Sequence, residues 1–199
     1  MKLHLTLLII FIIASILSFI GCYEQFTWFL ECIPAFLGVA VLIITYNRFK
    51  FSNFTYFIIL IHCIILIVGG HYTYAKVPLF DWIKQVFHQS RNNYDKVGHL
   101  AQGFVPALII REIFVRQQVV NGKKWLAFVI ISISLAISAF YELIEWFVSI
   151  NTGESGDAFL GTQGYIWDTQ SDMLMALIGA TLAIALLSGV QDNSIKKLK

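Results

Sequence analysis

The chain has 199 residues, of which 58% are hydrophobic and only 13% are charged, and its formal net charge is +2. A soluble domain of this length carries about twice that charged fraction, so the composition indicates an integral membrane protein. The small net charge, with no basic patch interleaved with aromatic residues, excludes a nucleic-acid-binding class.

Six apolar stretches have roughly the 20-residue length that a helix needs to cross a membrane. They cover residues 3–20, 26–46, 54–74, 97–115, 125–150 and 171–190. We therefore predict an all-α fold, a polytopic transmembrane helical bundle that forms a single integral membrane domain over residues 1–199. The first stretch has a second interpretation as a cleaved signal peptide, because Lys2 precedes it and Cys22 follows it, but a retained helix is favoured.

The basic residues alternate between the two sides of the predicted bundle. Nine lie in the terminal segments and in the second and fourth loops: Lys2, Arg48, Lys50, Arg116, Lys123, Lys124, Lys196, Lys197 and Lys199. Cytoplasmic loops of inner-membrane proteins carry the excess of lysine and arginine. We therefore expect a multi-pass protein of the bacterial inner membrane with both termini in the cytoplasm.

Two of the outward loops have patterns of their own. In the third loop, Pro78 is placed to begin a helix, and the apolar residues after it follow helical spacing, which predicts an amphipathic helix. Such a helix either lies in the membrane interface or packs as a surface helix on the other spans. The fifth loop, residues 151–167, is rich in glycine but still carries large apolar side chains. We expect this loop to fold back over the outer ends of the helices as a lid or re-entrant segment.

Ionisable residues within the spans gather at one depth. A helix rises about 1.5 Å per residue, so residues near the outward ends of five different spans meet in one layer. The layer contains Glu31, His71, Asp95, His99, Glu142, Glu145, Asp168 and Asp172. Ionisable side chains are costly in a membrane, so this clustering predicts a site, although hydrogen bonding between helices is the alternative.

Histidine together with carboxylates is the ligand set of a divalent metal, and zinc, manganese and magnesium are not distinguished by the pattern. We expect His71, Asp95, His99 and Asp172 to bind metal, and Glu142, Glu145 and Asp168 to be catalytic. For Asp168, capping of the sixth helix is the alternative. The same groups can act as a general acid and base without metal. No organic cofactor is indicated.

Four segments resemble the YjdF family of bacterial inner-membrane proteins. They are His71-Tyr-Thr-Tyr-Ala75, the run Asp95-Lys-Val-Gly-His99 continued to Ala107, Tyr141-Glu-Leu-Ile-Glu-Trp146, and the run from Asp157 to Met173. A looser resemblance is to VanZ-like membrane proteins, whose pattern pairs Asp-Lys-x-x-His with a later Glu and a final Asp-x-x-x-Asn, where this chain has Ala176. Neither resemblance implies a settled activity.

Three functions remain open from the sequence. The leading hypothesis is an uncharacterised envelope enzyme, a metal-dependent hydrolase or transferase acting on a membrane lipid or a lipid-linked substrate. The second is an ion- or proton-coupled binding or transport protein. The third is a structural or accessory membrane subunit. The oligomeric state is left open.

Overall fold

Long helices make up nearly all of the structure, a computed structural model that describes residues 2–152 and 163–198. The helices are α1 (Lys2–Phe19), α2 (Gln25–Thr45), α3 (Asn53–His71), α4 (Pro78–Val86), α5 (Tyr94–Gln117), α6 (Lys123–Thr152) and α7 (Asp168–Ile195). All except α4 are long and apolar enough to cross a membrane. The predicted all-α fold with six spans is confirmed, and these described residues contain no strand.

Successive spans run in opposite directions, so the bundle has two chemically different ends. We call the end that holds the carboxylates of Glu31, Asp95, Glu142, Glu145, Asp168 and Asp172 the acidic end. The opposite end, where α1 begins and α7 finishes, carries Lys2, Arg48, Lys50, Arg116, Lys123 and Lys124, and we call it the basic end.

Helices α5 and α7 form the closest helix pair of the bundle, and glycine makes this approach possible. A Cβ atom added to Gly103 would lie 1.8 Å from the Ala176 carbonyl oxygen, and one added to Gly179 would lie 2.1 Å from the Leu100 carbonyl oxygen. Small residues let helix backbones touch in this way within a membrane. The contact brings the first two turns of α5 and α7, which carry Asp95, His99 and Asp172, close together.

A buried polar network holds the basic end together. The fully buried carboxylate of Glu112 accepts hydrogen bonds from the Ser52 backbone N–H (2.7 Å), the Ser52 hydroxyl (2.8 Å) and the Thr55 hydroxyl (2.7 Å). Arg116 completes the shell with an ion pair to Glu112 at 3.1 Å. Because each partner is satisfied, the network serves to connect α3 with α5 rather than to bind a ligand.

The third loop contains the predicted amphipathic helix, α4. Leu79, Trp82 and Val86 expose 60%, 58% and 49% of their surface, whereas Phe80 packs against Tyr94 with 5.3 Å between the ring centroids. One face of α4 is therefore available to lipid and the other holds it on α5. The predicted lid over residues 151–167 falls mostly on residues outside the described part of the chain.

Candidate functional site

Three aspartates and two cations form one half of the acidic end. Lys96 Nζ lies 2.8 Å from Asp168 Oδ1, 2.6 Å from Asp172 Oδ1 and 3.8 Å from Asp95 Oδ2. Arg91 pairs with Asp168 and donates to Asp95 Oδ2 at 3.1 Å. All three carboxylates therefore have a cationic partner, as buried charges require.

His99 lies at the centre of the cluster and is 6% exposed. Its Nε2 atom is 3.2 Å from Asp95 Oδ1 and 3.9 Å from Asp172 Oδ1, whereas its Nδ1 atom is 3.1 Å from Gln102 Oε1 and 3.7 Å from Glu142 Oε1. The imidazole thus faces aspartates on one side and glutamate on the other.

Two glutamates of α6 form the other half of the acidic end. Glu142 and Glu145 are 7% and 8% exposed, and their carboxylates lie close to His99. Glu142 accepts a hydrogen bond from Thr169, but its Oε1 atom has no hydrogen-bond partner among the described residues. Within residues 2–152 and 163–198, neither glutamate forms an ion pair with a lysine or arginine. Among the described residues, His99 is therefore the basic group that faces this half, and no lysine or arginine pairs with it.

Two overlapping triplets have the composition of a metal site. Asp95, His99 and Asp172 form one, and His99, Glu142 and Glu145 form the other. In each triplet one potential ligand atom per residue lies within 4.8 Å of the other two. Imidazole and carboxylates at such spacing can hold a divalent ion after small side-chain adjustments.

His71, which the sequence suggested as a metal ligand, lies in neither triplet. Its Nδ1 atom is 2.6 Å from the Ser18 carbonyl oxygen on α1, and its own carbonyl accepts from the Tyr23 backbone N–H at 2.9 Å. Helix α3 ends at this residue, so the ring turns towards α1 instead of α5. The structure therefore brings together Asp95, His99, Glu142, Glu145, Asp168 and Asp172, but not His71.

A cavity of about 270 Å³ opens beside the cluster, between α2, α3, α5 and α6. Its polar end is formed by Glu31, Asp95, His99 and Glu145, and its remaining walls are mostly apolar. The wall extends from His99 to Ile109 on α5, which corresponds to roughly 15 Å along the helix. The cavity is thus amphipathic, with carboxylates at one end and hydrocarbon along its length.

Tyr74 closes the polar end of this cavity from the α3–α4 connection. Its ring is wedged against Gly69 and Gly98, where an added Cβ would lie 2.2 and 2.8 Å from ring atoms. Burial, reinforced by the nearby Glu31 carboxylate, raises the pKa of the Tyr74 phenol well above its usual range. The phenol therefore stays neutral and adds no further charge to the acidic end.

Arg91 and Lys96 are site residues that the sequence patterns did not single out. The sequence carried part of the signal, because Arg91 lies only four residues before Asp95, and the two side chains pair at the start of α5. The partners on α7 had no such local signal. Their recognition requires knowing that α5 and α7 are neighbours.

Comparisons with known proteins agree with the fold. A family profile described as "Predicted membrane protein (DUF2238)" matches residues 3–193. The chain is 46% identical over 178 residues to a protein named "Inner membrane protein YjdF" from Escherichia coli (strain K12), and the match covers 89% of this chain and 85% of that relative. No solved structure matches, and the resemblance to VanZ-like proteins finds no support in these matches. The chain is a multi-pass inner-membrane protein and belongs to the YjdF family of DUF2238 membrane proteins.

Proposed function

We propose that the protein is a membrane enzyme that binds a divalent metal at its acidic end and acts on a lipid or lipid-linked substrate. The observation that carries this proposal is the amphipathic cavity, in which buried carboxylates and one histidine lie at one end and apolar side chains form the remaining walls. Such a cavity matches a molecule with a polar head and a hydrocarbon tail.

The balance of charge favours the glutamate triplet as the metal site. Asp95 and Asp172 are already paired with Arg91 or Lys96, and a metal between them would meet the Lys96 ammonium. Glu142 and Glu145 face the imidazole of His99 without such a cation. Burying two carboxylates together is costly unless a cation or protons neutralise them.

In this arrangement the two glutamates, expected from the sequence to be catalytic, bind the metal, and Asp95 and Asp172, expected to be ligands, do not. His99 remains a ligand, now with Glu142 and Glu145 beside it. Asp95 accepts from the opposite ring nitrogen of His99, which is how carboxylates commonly orient metal-binding histidines. Asp168 and Asp172 then act as positioning residues, because they hold Lys96 and Arg91 at the edge of the site.

A divalent metal at this position would polarise a phosphoryl or carbonyl oxygen of the substrate and lower the pKa of a bound water. Glu31 lines the same cavity from α2 and is 7% exposed. It is therefore the carboxylate we assign as general base, because it lies outside both triplets but borders the same space.

Substrate is proposed to enter sideways from the membrane, between α2 and α6. Both helices line the cavity, but α2 packs mainly on α3 while α6 packs on α5 and α7.

The proposed orientation places the basic end, with both termini, in the cytoplasm, because lysine and arginine concentrate there. The acidic end then faces the outer leaflet.

Elemental analysis of protein purified without chelators tests the metal site. The parent is expected to carry about one divalent ion per chain, and His99→Ala and the double variant Glu142→Gln/Glu145→Gln are expected to lose it. Asp192→Asn is the control, because Asp192 pairs with Arg111 at the basic end. Metal content that is absent from the parent, or unchanged in folded site variants, would refute the proposed site.

A lipid assay tests the reaction. Reconstituted protein is incubated with a total membrane lipid extract, with and without added Zn²⁺, Mn²⁺ or Mg²⁺, and the lipids are compared by mass spectrometry. A lipid that is converted by the parent but not by Glu31→Gln identifies the substrate class. An unchanged lipid profile under every metal condition argues against an enzyme.

The transport alternative is favoured by His62. This residue lies midway along α3, lines the apolar part of the cavity, and its Nε2 atom has no hydrogen-bond partner among the described residues. Ionisable residues that border a cavity within the membrane often mark ion or proton pathways. Proton flux into proteoliposomes that is lost in His62→Leu would favour transport over catalysis.

A further inference from the structure

A second cavity lies in the opposite half of the bundle, away from the acidic end. It measures about 320 Å³ and is bounded by α1, α2 and α3. Its walls are mostly hydrocarbon from residues such as Leu8, Val39, Ile43 and Leu60. No residue of the acidic cluster lines it, so it is separate from the proposed metal site.

The cavity lies between two sets of contacts that join α1 to α2, one towards each end of the helices. Towards the acidic end, Trp28 Nε1 donates to the Ser18 hydroxyl at 2.9 Å, and Phe11 contacts Phe36 with 5.9 Å between ring centroids. The residues that line the cavity lie on the basic-end side of these contacts, at positions 4–11 of α1 and at positions 39–47, which cover the end of α2 and the two residues after it. Both helices pack on α3, which forms the floor of a groove between them.

The cavity has a polar mouth at the basic end, where side chains are hydrogen-bonded to one another. His4 Nδ1 lies 2.9 Å from the Tyr46 hydroxyl and His4 Nε2 lies 2.7 Å from Asn53 Oδ1. The side chains of three helices therefore meet at this point. Both ring nitrogens of His4 therefore have a hydrogen-bond partner.

The chain segments that form the mouth carry basic residues and no acidic ones. Lys2, Arg48 and Lys50 are exposed, and Lys50 Nζ lies 5.8 Å from the centre of the Tyr46 ring. No aspartate or glutamate occurs between Glu31 and Asp81. The loop that carries Arg48 and Lys50 is also fixed, because Arg116 donates to the Lys50 carbonyl at 2.6 Å.

We propose that this cavity, hereafter the anionic-lipid site, binds an acyl chain of an anionic phospholipid whose phosphate contacts Lys2, Arg48 and Lys50. The groove lies between two membrane-spanning helices, so a lipid reaches it without leaving the bilayer. A headgroup at its mouth would lie beside the segments that carry these three exposed cations, whereas the Glu112 carboxylate behind Ser52 is fully buried and paired with Arg116, and this favours lipids with net negative charge. The proposal does not depend on the metal site or on catalysis.

Lipid retention measured by mass spectrometry tests the site. Purified protein is equilibrated with an equimolar mixture of phosphatidylglycerol and phosphatidylcholine and then separated from free lipid. The parent is expected to retain phosphatidylglycerol in preference by roughly tenfold or more, since each nearby lysine or arginine contributes about fivefold. Arg48→Gln/Lys50→Gln is expected to lose most of this preference, and Lys123→Gln/Lys124→Gln, at the same end but outside the cavity, is expected to keep it.

A second pair of variants separates the acyl-chain site from the surface charge. Ile43 lines the cavity and is 57% exposed, whereas its neighbour Ile44 is 78% exposed and does not line it. Ile43→Trp is expected to reduce retained phosphatidylglycerol by roughly fivefold or more, and Ile44→Trp is expected to leave it unchanged. Equal retention of the two lipids by the parent, or a preference that survives both Ile43→Trp and Arg48→Gln/Lys50→Gln, would overturn the proposal.

Discussion

Lys96 Nζ lies 2.6 Å from Asp172 Oδ1, and this ion pair joins the first turns of α5 and α7 although 76 residues separate the two side chains. The same ammonium is 2.8 Å from Asp168 Oδ1. Two buried carboxylates therefore depend on one lysine for part of their neutralisation. Together with Arg91, this lysine balances the aspartate half of the acidic end, whereas no lysine or arginine pairs with the glutamate half within the described residues.

Removing this cation should destabilise the bundle. In Lys96→Met, Asp172 and Asp168 lose their shared partner while remaining buried, which costs roughly 3–5 kcal/mol for a broken buried pair. We expect a clear fall in the midpoint of thermal unfolding in detergent, followed by tryptophan fluorescence. Lys124→Gln, an exposed lysine, should leave the midpoint unchanged.

Asp172→Asn should restore part of the stability when it is combined with Lys96→Met, since the uncompensated carboxylate is then removed. A double variant that is no more stable than Lys96→Met would show that the two side chains do not interact as the structure indicates.

Two glycines provide a matched test of the contact between α5 and α7. An added Cβ at Gly103 would lie 1.8 Å from the Ala176 carbonyl oxygen, whereas one at Gly189 meets no atom within 4 Å. Gly103→Ala should therefore destabilise the protein by about 1–3 kcal/mol through overpacking. Gly189→Ala should be neutral or stabilising by about 0.5–1 kcal/mol, because alanine favours helix more than glycine does.

Thermal unfolding of the two variants under identical detergent conditions checks this prediction. Similar midpoints for Gly103→Ala and Gly189→Ala would mean that α5 and α7 do not approach as closely as described.

The six-span fold was predictable because hydrophobicity over about 20 residues is a local property of the chain. The amphipathic α4 was predictable for the same reason, because Pro78 and the helical spacing of the apolar residues after it are local features of the sequence. Depth along each span also grouped the acidic residues, because helical rise is constant.

The partners within the acidic layer were not predictable in the same way. His71 lies at a similar height to His99 but bonds to Ser18 on α1, since α3 contacts α1 and α2 on that side. The ion pairs of Lys96 with Asp168 and Asp172 and the two cavities depend on which helices are neighbours. No single stretch of sequence carries that information.

Orientation in the membrane provides a further prediction. A green fluorescent protein fused after the last residue should fluoresce, because the basic end that receives α7 is expected in the cytoplasm. The same fluorescent protein inserted after Gln89, in the connection between α4 and α5, should be dark when exported by the general secretion route. Fluorescence of the inserted fusion alone would reverse the orientation and place the acidic end in the cytoplasm.

Filling the amphipathic cavity should separate lipid binding from metal binding. Gly38 lines the cavity on α2, seven residues from Glu31, and an added Cβ there meets no atom within 4 Å. Gly38→Leu should therefore fold normally and keep its metal while it occupies the space of the substrate tail. We expect lipid turnover to fall by about tenfold or more, because the tail can no longer reach its place beside the apolar walls.

The control is Gly189→Leu, which places the same side chain on α7 away from both cavities, where a Cβ also meets open space. It should retain parental turnover and metal content. Turnover in Gly38→Leu equal to that of Gly189→Leu would mean that the hydrocarbon tail does not occupy this cavity. Loss of metal in Gly38→Leu alone would instead indicate that the cavity wall supports the geometry of His99, Glu142 and Glu145. The apolar walls would then not act as a binding site for the substrate's tail that is separate from the metal site, and the proposed substrate class depends on that separation.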